Sequence, residues 1–388
     1  MPKYDTEDIV DIKNRKKRRK NLLKFLIFLL LAAVGTTAYF TRELWYNKLR
    51  GIGEQYRTIV NTGRLAEGNF PIDMSGGADY QLTATGKNVE VLSDTYTLYY
   101  DVEGNLIKKR QHSYTNSVLC VSGGKTLIYE SSGDDLSVEE AENVIYEKEF
   151  DNNILFARIS PDGSIGVVTT SDNYNCELMI YDKKGTLVYE RKCMELVSGL
   201  SFLAESKGCV ITYLAAENGK LITSVQKLDF SQDGEIWTSP GMNTVGLEVY
   251  GYDGGAFVLG MDACGYVDDN GQISSYYSYD GDMKGGYSSN GQSAVIINND
   301  DRRKYIAALF SGGGTEPVII DLEEPAVDVT VSDGLAYVLT EGHMMAYDFN
   351  GDVRSLAHVS DSYTGFVRCG GHVFLKGYNK IDRIDYES

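Results

Sequence analysis

Histidine, tryptophan and proline are scarce in this chain, with 4, 2 and 6 residues among 388. The histidines, His112, His343, His358 and His372, show no HxH or HxxxH spacing, and no Cys–His pair stands at zinc-ligand spacing. There is no CxxC, no Gly-x-Ser-x-Gly elbow and no Walker loop. These absences remove the usual signatures of zinc enzymes, serine hydrolases and nucleotide-binding enzymes. The sequence offers no catalytic residue, no cofactor site and no metal ligand.

What is present is a repeat. Tyr100-Asp101-Val102-Glu103-Gly104, Tyr181-Asp182-Lys183-Lys184-Gly185, Val267-Asp268-Asp269-Asn270-Gly271 and Tyr347-Asp348-Phe349-Asn350-Gly351 share one pattern, each between two strand-like runs. Degraded copies fall near residues 142, 234 and 313, which gives a mean spacing of about 41 residues. Each unit reads as four short strands. The second strand of each is continuously apolar, as in Gly166-Val167-Val168, Ala256-Phe257-Val258-Leu259 and Ala294-Val295-Ile296-Ile297. That is the mark of a strand covered on both faces. No convincing helical period follows residue 65.

Four strands in about 40 residues match a β-propeller blade. Seven full units can be counted, and residues 365–385 begin an eighth that lacks its last strand. The orphan strand at 69–74 is expected to complete that blade and close the ring. The fold class is therefore all-β, a propeller of about eight four-stranded blades, with seven as the alternative, behind an N-terminal transmembrane helix.

Residues 25–40 carry no charge; with Leu22, Leu23 and a snorkelling Lys24 the apolar span is about 19 residues, or roughly 28 Å of helix. Eight basic residues between Lys13 and Lys24 precede it. The positive-inside rule then puts 1–24 in the cytoplasm as a basic tail. A cleaved signal peptide is the competing reading. The expected organisation is a membrane helix at 25–40, a helical stalk at 41–65 and an extracytoplasmic propeller at 66–388, held at the plasma membrane.

The net charge is −18; the first 24 residues hold nine basic and four acidic groups, leaving 28 basic and 51 acidic beyond them. So acidic a domain repels nucleic acid and anionic lipid. Six cysteines in an exported domain raise the question of disulfides. If the hairpin turns at Lys184-Gly185, residues whose numbers sum to 369 face each other, and Cys176 and Cys193 are such a pair. Cys120, Cys209, Cys264 and Cys369 read as small buried residues.

The candidate binding surface is aromatic and basic. Tyr276, Tyr277, Tyr279 and Tyr287 lie close in sequence, with Arg302 and Arg303 in the following loop. Exposed tyrosines stack on sugars or anchor protein partners, although tyrosine packed between blades is the plainer reading.

A basic tail, one anchor helix and an acidic, Tyr-rich ectodomain built on Tyr-Asp-x-x-Gly turns together resemble a membrane-anchored propeller family of unknown function from Firmicutes. The Ser160-Pro161-Asp162-Gly163 turn is similar to those of TolB-like and WD-type propellers. The first resemblance implies no activity and transfers no residue role; the second implies an interaction platform. The expected function is an envelope scaffold for a protein or glycan, with a propeller hydrolase or lyase in the central channel as the alternative.

Overall fold

Gly, Asp and Asn punctuate most of the turns between strands, and the strands fall where those turns allow. The computed structural model describes residues 60–74, 79–140, 143–231, 234–299, 301 and 303–386. The expected tail, membrane segment and most of the stalk lie outside the described residues, as does Arg302. Among the described residues no helix is long and apolar enough to cross a membrane.

The strands make eight four-stranded antiparallel units, called blades 1 to 8 here: 81–111, 117–149, 154–193, 196–238, 246–278, 282–322, 326–358 and 363–386. Blades 1 to 6 are separate sheets; blades 7 and 8 join with two N-terminal strands into one nine-stranded sheet. The first strands pack in sequence around an axis, and Tyr363–Cys369 of blade 8 returns to Gln81–Thr85 of blade 1. This closed ring is a β-propeller.

The recurring acid is a turn device. Asp101 Oδ1 accepts the backbone N–H of Glu103 and Asn105 at 2.9 and 2.8 Å. Asp182, Asp268 and Asp348 accept the same pair of N–H groups, two and four residues on. The glycine three residues after each acid takes a positive φ, as Gly185 does at 79°. Just past the turn, the fourth strand bulges by one residue in blades 1 to 5 and 7, at Ile107, Ile145, Val188, Ile236, Ser274 and Arg354. A bulged edge is a poor template for another strand.

Strand direction defines two faces. First strands end, and fourth strands begin, on the face that carries the Asp turns. Asn61–Leu65 runs parallel to the fourth strand of blade 7, pairing Asn61 with Ser355 just past its Asp turn, so the chain enters on that face. It is called the entry face. The opposite, far face carries the turns between second and third strands and the links between blades.

Of the stalk expected over 41–65, the described end, Asn61–Leu65, is a strand. Thr62 and Gly63 are weak helix formers, and two sheet edges offer hydrogen bonds here. Arg64 and Leu65 pair antiparallel with Asp385 and Ile384 of blade 8. Ile72 and Asp73 then pair with Ile381 and Lys380, as expected for the orphan strand. The last blade is thus completed by 61–65, with 72–73 continuing along the same edge.

Seven of the eight junctions between blades are filled by apolar clusters, for example Leu127, Val138, Ile154 and Val167 between blades 2 and 3. The junction between blades 1 and 2 differs. Its buried residues include Glu90, Thr126, Ser137 and Glu139, each 0% exposed.

Candidate functional site

The tyrosines singled out in the sequence do not form one patch. Tyr277 and Tyr279 pack against Phe257, Tyr266 and Phe310 in the core, with Tyr277 5.5 Å from the Phe310 ring, edge to face. Tyr276, one residue away, points to the other side of its strand, as the period of two requires. It is exposed, and its hydroxyl donates to the Asn243 carbonyl at 3.0 Å. Tyr287 lies on the first strand of blade 6, 5.3 Å from the Tyr250 ring. Arg303 is exposed in its turn.

Cys176 and Cys193 are direct cross-strand partners, both buried and both free thiols. The hydrogen bond with the Cys193 thiol pulls the Cys176 thiol below its ordinary value.

The central channel was the place to look for catalysis. Arg158 of blade 3 reaches across it to Glu248 of blade 5, with Nη2 at 2.9 and 3.0 Å from the two carboxylate oxygens. Each charge is therefore answered by the other. Between blades 7, 8, 1 and 2 the channel widens to about 380 Å³, beside Gln81, Thr83, Asp328, Thr364 and Lys376. Asp328 accepts the backbone N–H groups of Val329 and Phe366 at 2.8 and 3.1 Å, and burial raises it to about 6. No second acid or histidine lines this cavity.

Two carboxylates do meet at the junction of blades 1 and 2, a pairing that lies 49 residues apart in sequence at Glu90 and Glu139. Glu139 accepts from Tyr99 Oη at 2.8 Å and Ser137 Oγ at 3.0 Å, and Arg110 pairs with it. Glu90 Oε2 accepts from Thr126 and Thr85 at 2.7 and 2.9 Å, while its Oε1 has no partner. Burial raises Glu90 to about 7, and the Glu139 charge adds to this. Both side chains are shut off from solvent, so this network fastens two blades and meets no substrate.

The far face shows a different departure from the repeat. Met194 is 68% exposed, Met261 59% and Leu221 52%, with Leu155, Tyr174, Leu196 and Leu247 also exposed. All seven lie in far-face turns or at far-face strand ends of blades 3, 4 and 5. Leu155 and Leu247 stand at bulges in the first strands of blades 3 and 5. Blade 4 adds a hairpin with ten-residue arms, Gly208–Glu217 and Lys220–Asp229.

Among the described residues no group of three or more His, Cys, Asp or Glu side chains is arranged to hold a metal. The structure does, however, bring His343 opposite His358 across the last hairpin of blade 7. Their sequence spacing of 15 gave no hint of this.

Residues 67–385 match the family described as Family of unknown function (DUF5711). The chain belongs to that family. No curated protein sequence matches this member. Its fold is similar to solved structures at low identity. BamB from Moraxella catarrhalis has 12% identity and a TM-score of 0.55, over 84% of this chain and 100% of that one. Sqt1 from Saccharomyces cerevisiae has 9% identity and a TM-score of 0.61, over 85% and 100%. At such identities the likeness shows the family member's fold alone.

Proposed function

We propose that the protein is a single-pass, membrane-anchored scaffold, with its propeller outside the cytoplasm and a protein partner seated on the far face over blades 3 to 5. The observation that carries this reading is the run of seven exposed apolar side chains on that face. Apolar patches on a soluble domain mark contact sites, and methionine adapts to varied partner surfaces. The uncharged run at 25–40, flanked by basic residues, supports the anchor.

A protein suits this surface better than a glycan. Aliphatic side chains and thioethers bury well against apolar anchors, whereas sugar recognition calls for stacked aromatics among polar groups. A hydrolase or lyase in the channel has little support, because Arg158, Glu248 and Asp328 are held by protein partners.

A photo-crosslinking residue placed at Met261 tests the reading in native membranes, with Ile319, exposed on the entry side of blade 6, as the control site. The expected result is one protein adduct from position 261 and none from 319. Equal labelling from both sites, or none from either, would overturn it.

A further inference from the structure

We propose that His343 and His358 form a binding site for one divalent transition-metal ion of the copper, nickel and zinc group, on the far face of blade 7. Only four histidines occur in the chain, and two of them meet here. His343 begins the third strand of the blade and His358 ends the fourth, so the hairpin register sets them side by side. Their ring centres are 4.6 Å apart, at an interplanar angle of 56°.

That separation suits a shared ion. A metal–imidazole bond is about 2.0 Å and the ring centre lies about 1.2 Å beyond the nitrogen, so two imidazoles at about 90–110° around one ion sit about 4.5–5.2 Å apart, centre to centre. The observed spacing falls inside this range.

His343 Nδ1 is 3.0 Å from Glu324 Oε2. The same oxygen accepts Thr340 Oγ1 at 2.6 Å and the Gly342 N–H at 2.9 Å. An oxygen that already accepts from Thr340 and Gly342 is set as an acceptor toward His343 as well. His343 Nδ1 must then carry the proton. In the neutral ring, Nε2 is left with a bare lone pair. A carboxylate that fixes the tautomer and orientation of a histidine is the arrangement metal-binding histidines use.

His358 is exposed, so an ion reaches the pair without opening the fold. Two imidazoles supply two ligands, and water completes the sphere. Imidazole donors select the late divalent metals over magnesium or calcium.

The test is calorimetric titration of the untagged full-length protein in detergent with zinc sulfate, repeated with copper chloride. The expected result is one ion per chain. His343→Gln or His358→Gln should abolish it, and Glu324→Gln should weaken it about 10- to 100-fold at unchanged stoichiometry. His372→Gln, on blade 8, should leave it unaltered. His358→Gln alters an exposed side chain, so this variant decides the matter if His343→Gln fails to fold. Full binding retained in His358→Gln, or no ion bound by the unaltered protein, would overturn the proposal.

Discussion

Gly63 faces Tyr386 across the outer edge of the last blade, and its other side faces Ala357 of blade 7. One residue thus belongs to two blades. A Cβ at Gly63 would lie 2.7 Å from Ile384 Cγ2, 2.8 Å from the Tyr386 ring and 2.9 Å from Ala357 Cβ. Only glycine lets the entering strand seat between both neighbours. The ring is therefore closed by the segment next to the expected tether.

Gly63→Val should destabilise the propeller by about 1–3 kcal/mol through overpacking at this seam. Denaturant unfolding followed by circular dichroism measures it. Gly371→Ala is the control, because no atom lies within 4 Å of a Cβ there. Equal stability of the Gly63 and Gly371 variants would show that the strand does not bear on closure.

The junction of blades 1 and 2 should make stability depend on pH. Glu90, raised from 4.5 to about 7, binds its proton more tightly in the folded state. Stability from this group is fully present below about pH 4.5 and is lost as pH rises through 7, by at most about 3 kcal/mol. Asp328, raised to about 6, acts in the same direction. Asp162 acts oppositely at lower pH. Burial opposes its ionisation, but hydrogen bonds from Ser160 and Ser164 win and hold it at about 2. Its contribution is present above 3.8 and lost as pH falls through 2. Thermal midpoints should therefore peak near pH 4 and decline from there to about pH 8, and Glu90→Gln should flatten that decline. An unchanged decline in that variant would assign the pH dependence elsewhere.

Cys176 and Cys193 should join under a mild oxidant such as oxidised glutathione, which takes two electrons and leaves as two thiols. Direct cross-strand pairing puts the two side chains within reach without unfolding the hairpin. Peptide mapping should recover the 176–193 linkage, with Cys209 and Cys264, both buried, left unmodified. Both cysteines still alkylatable after oxidation and denaturation would exclude the bond.

Much of the scaffold was legible because it repeats. Period, turn acid and continuously apolar second strand recur at fixed places. The sum rule for the blade 3 hairpin holds from Cys176–Cys193 to Ile180–Tyr189, while Tyr181 pairs with Leu187 and the bulge at Val188 restores the count. Less was legible where contacts are long-range. Asn61–Leu65 looked like the end of a stalk because its pairing partners lie more than 290 residues away. His343 and His358 are invisible as a pair in the sequence because hairpin register, and not spacing, brings them together. Tyr277 and Tyr279 follow the plainer reading and pack inside. Tyr276 and Tyr277 are neighbours in sequence, yet a strand sends neighbours to opposite sides. The polar junction of blades 1 and 2 left no trace, since Glu90 and Glu139 sit in separate units.

On the proposed function, the far face over blades 3 to 5 is the working surface. The most direct measurement is quantitative co-purification from native membranes of three forms: unaltered, Leu196→Glu with Met261→Glu on the far face, and Leu106→Glu with Ile319→Glu on the entry side. A partner bound to the unaltered form should be lost at least 10-fold from the far-face variant and retained by the other, with all three propellers folded. Retention by the far-face variant together with loss from the entry-side variant would contradict it.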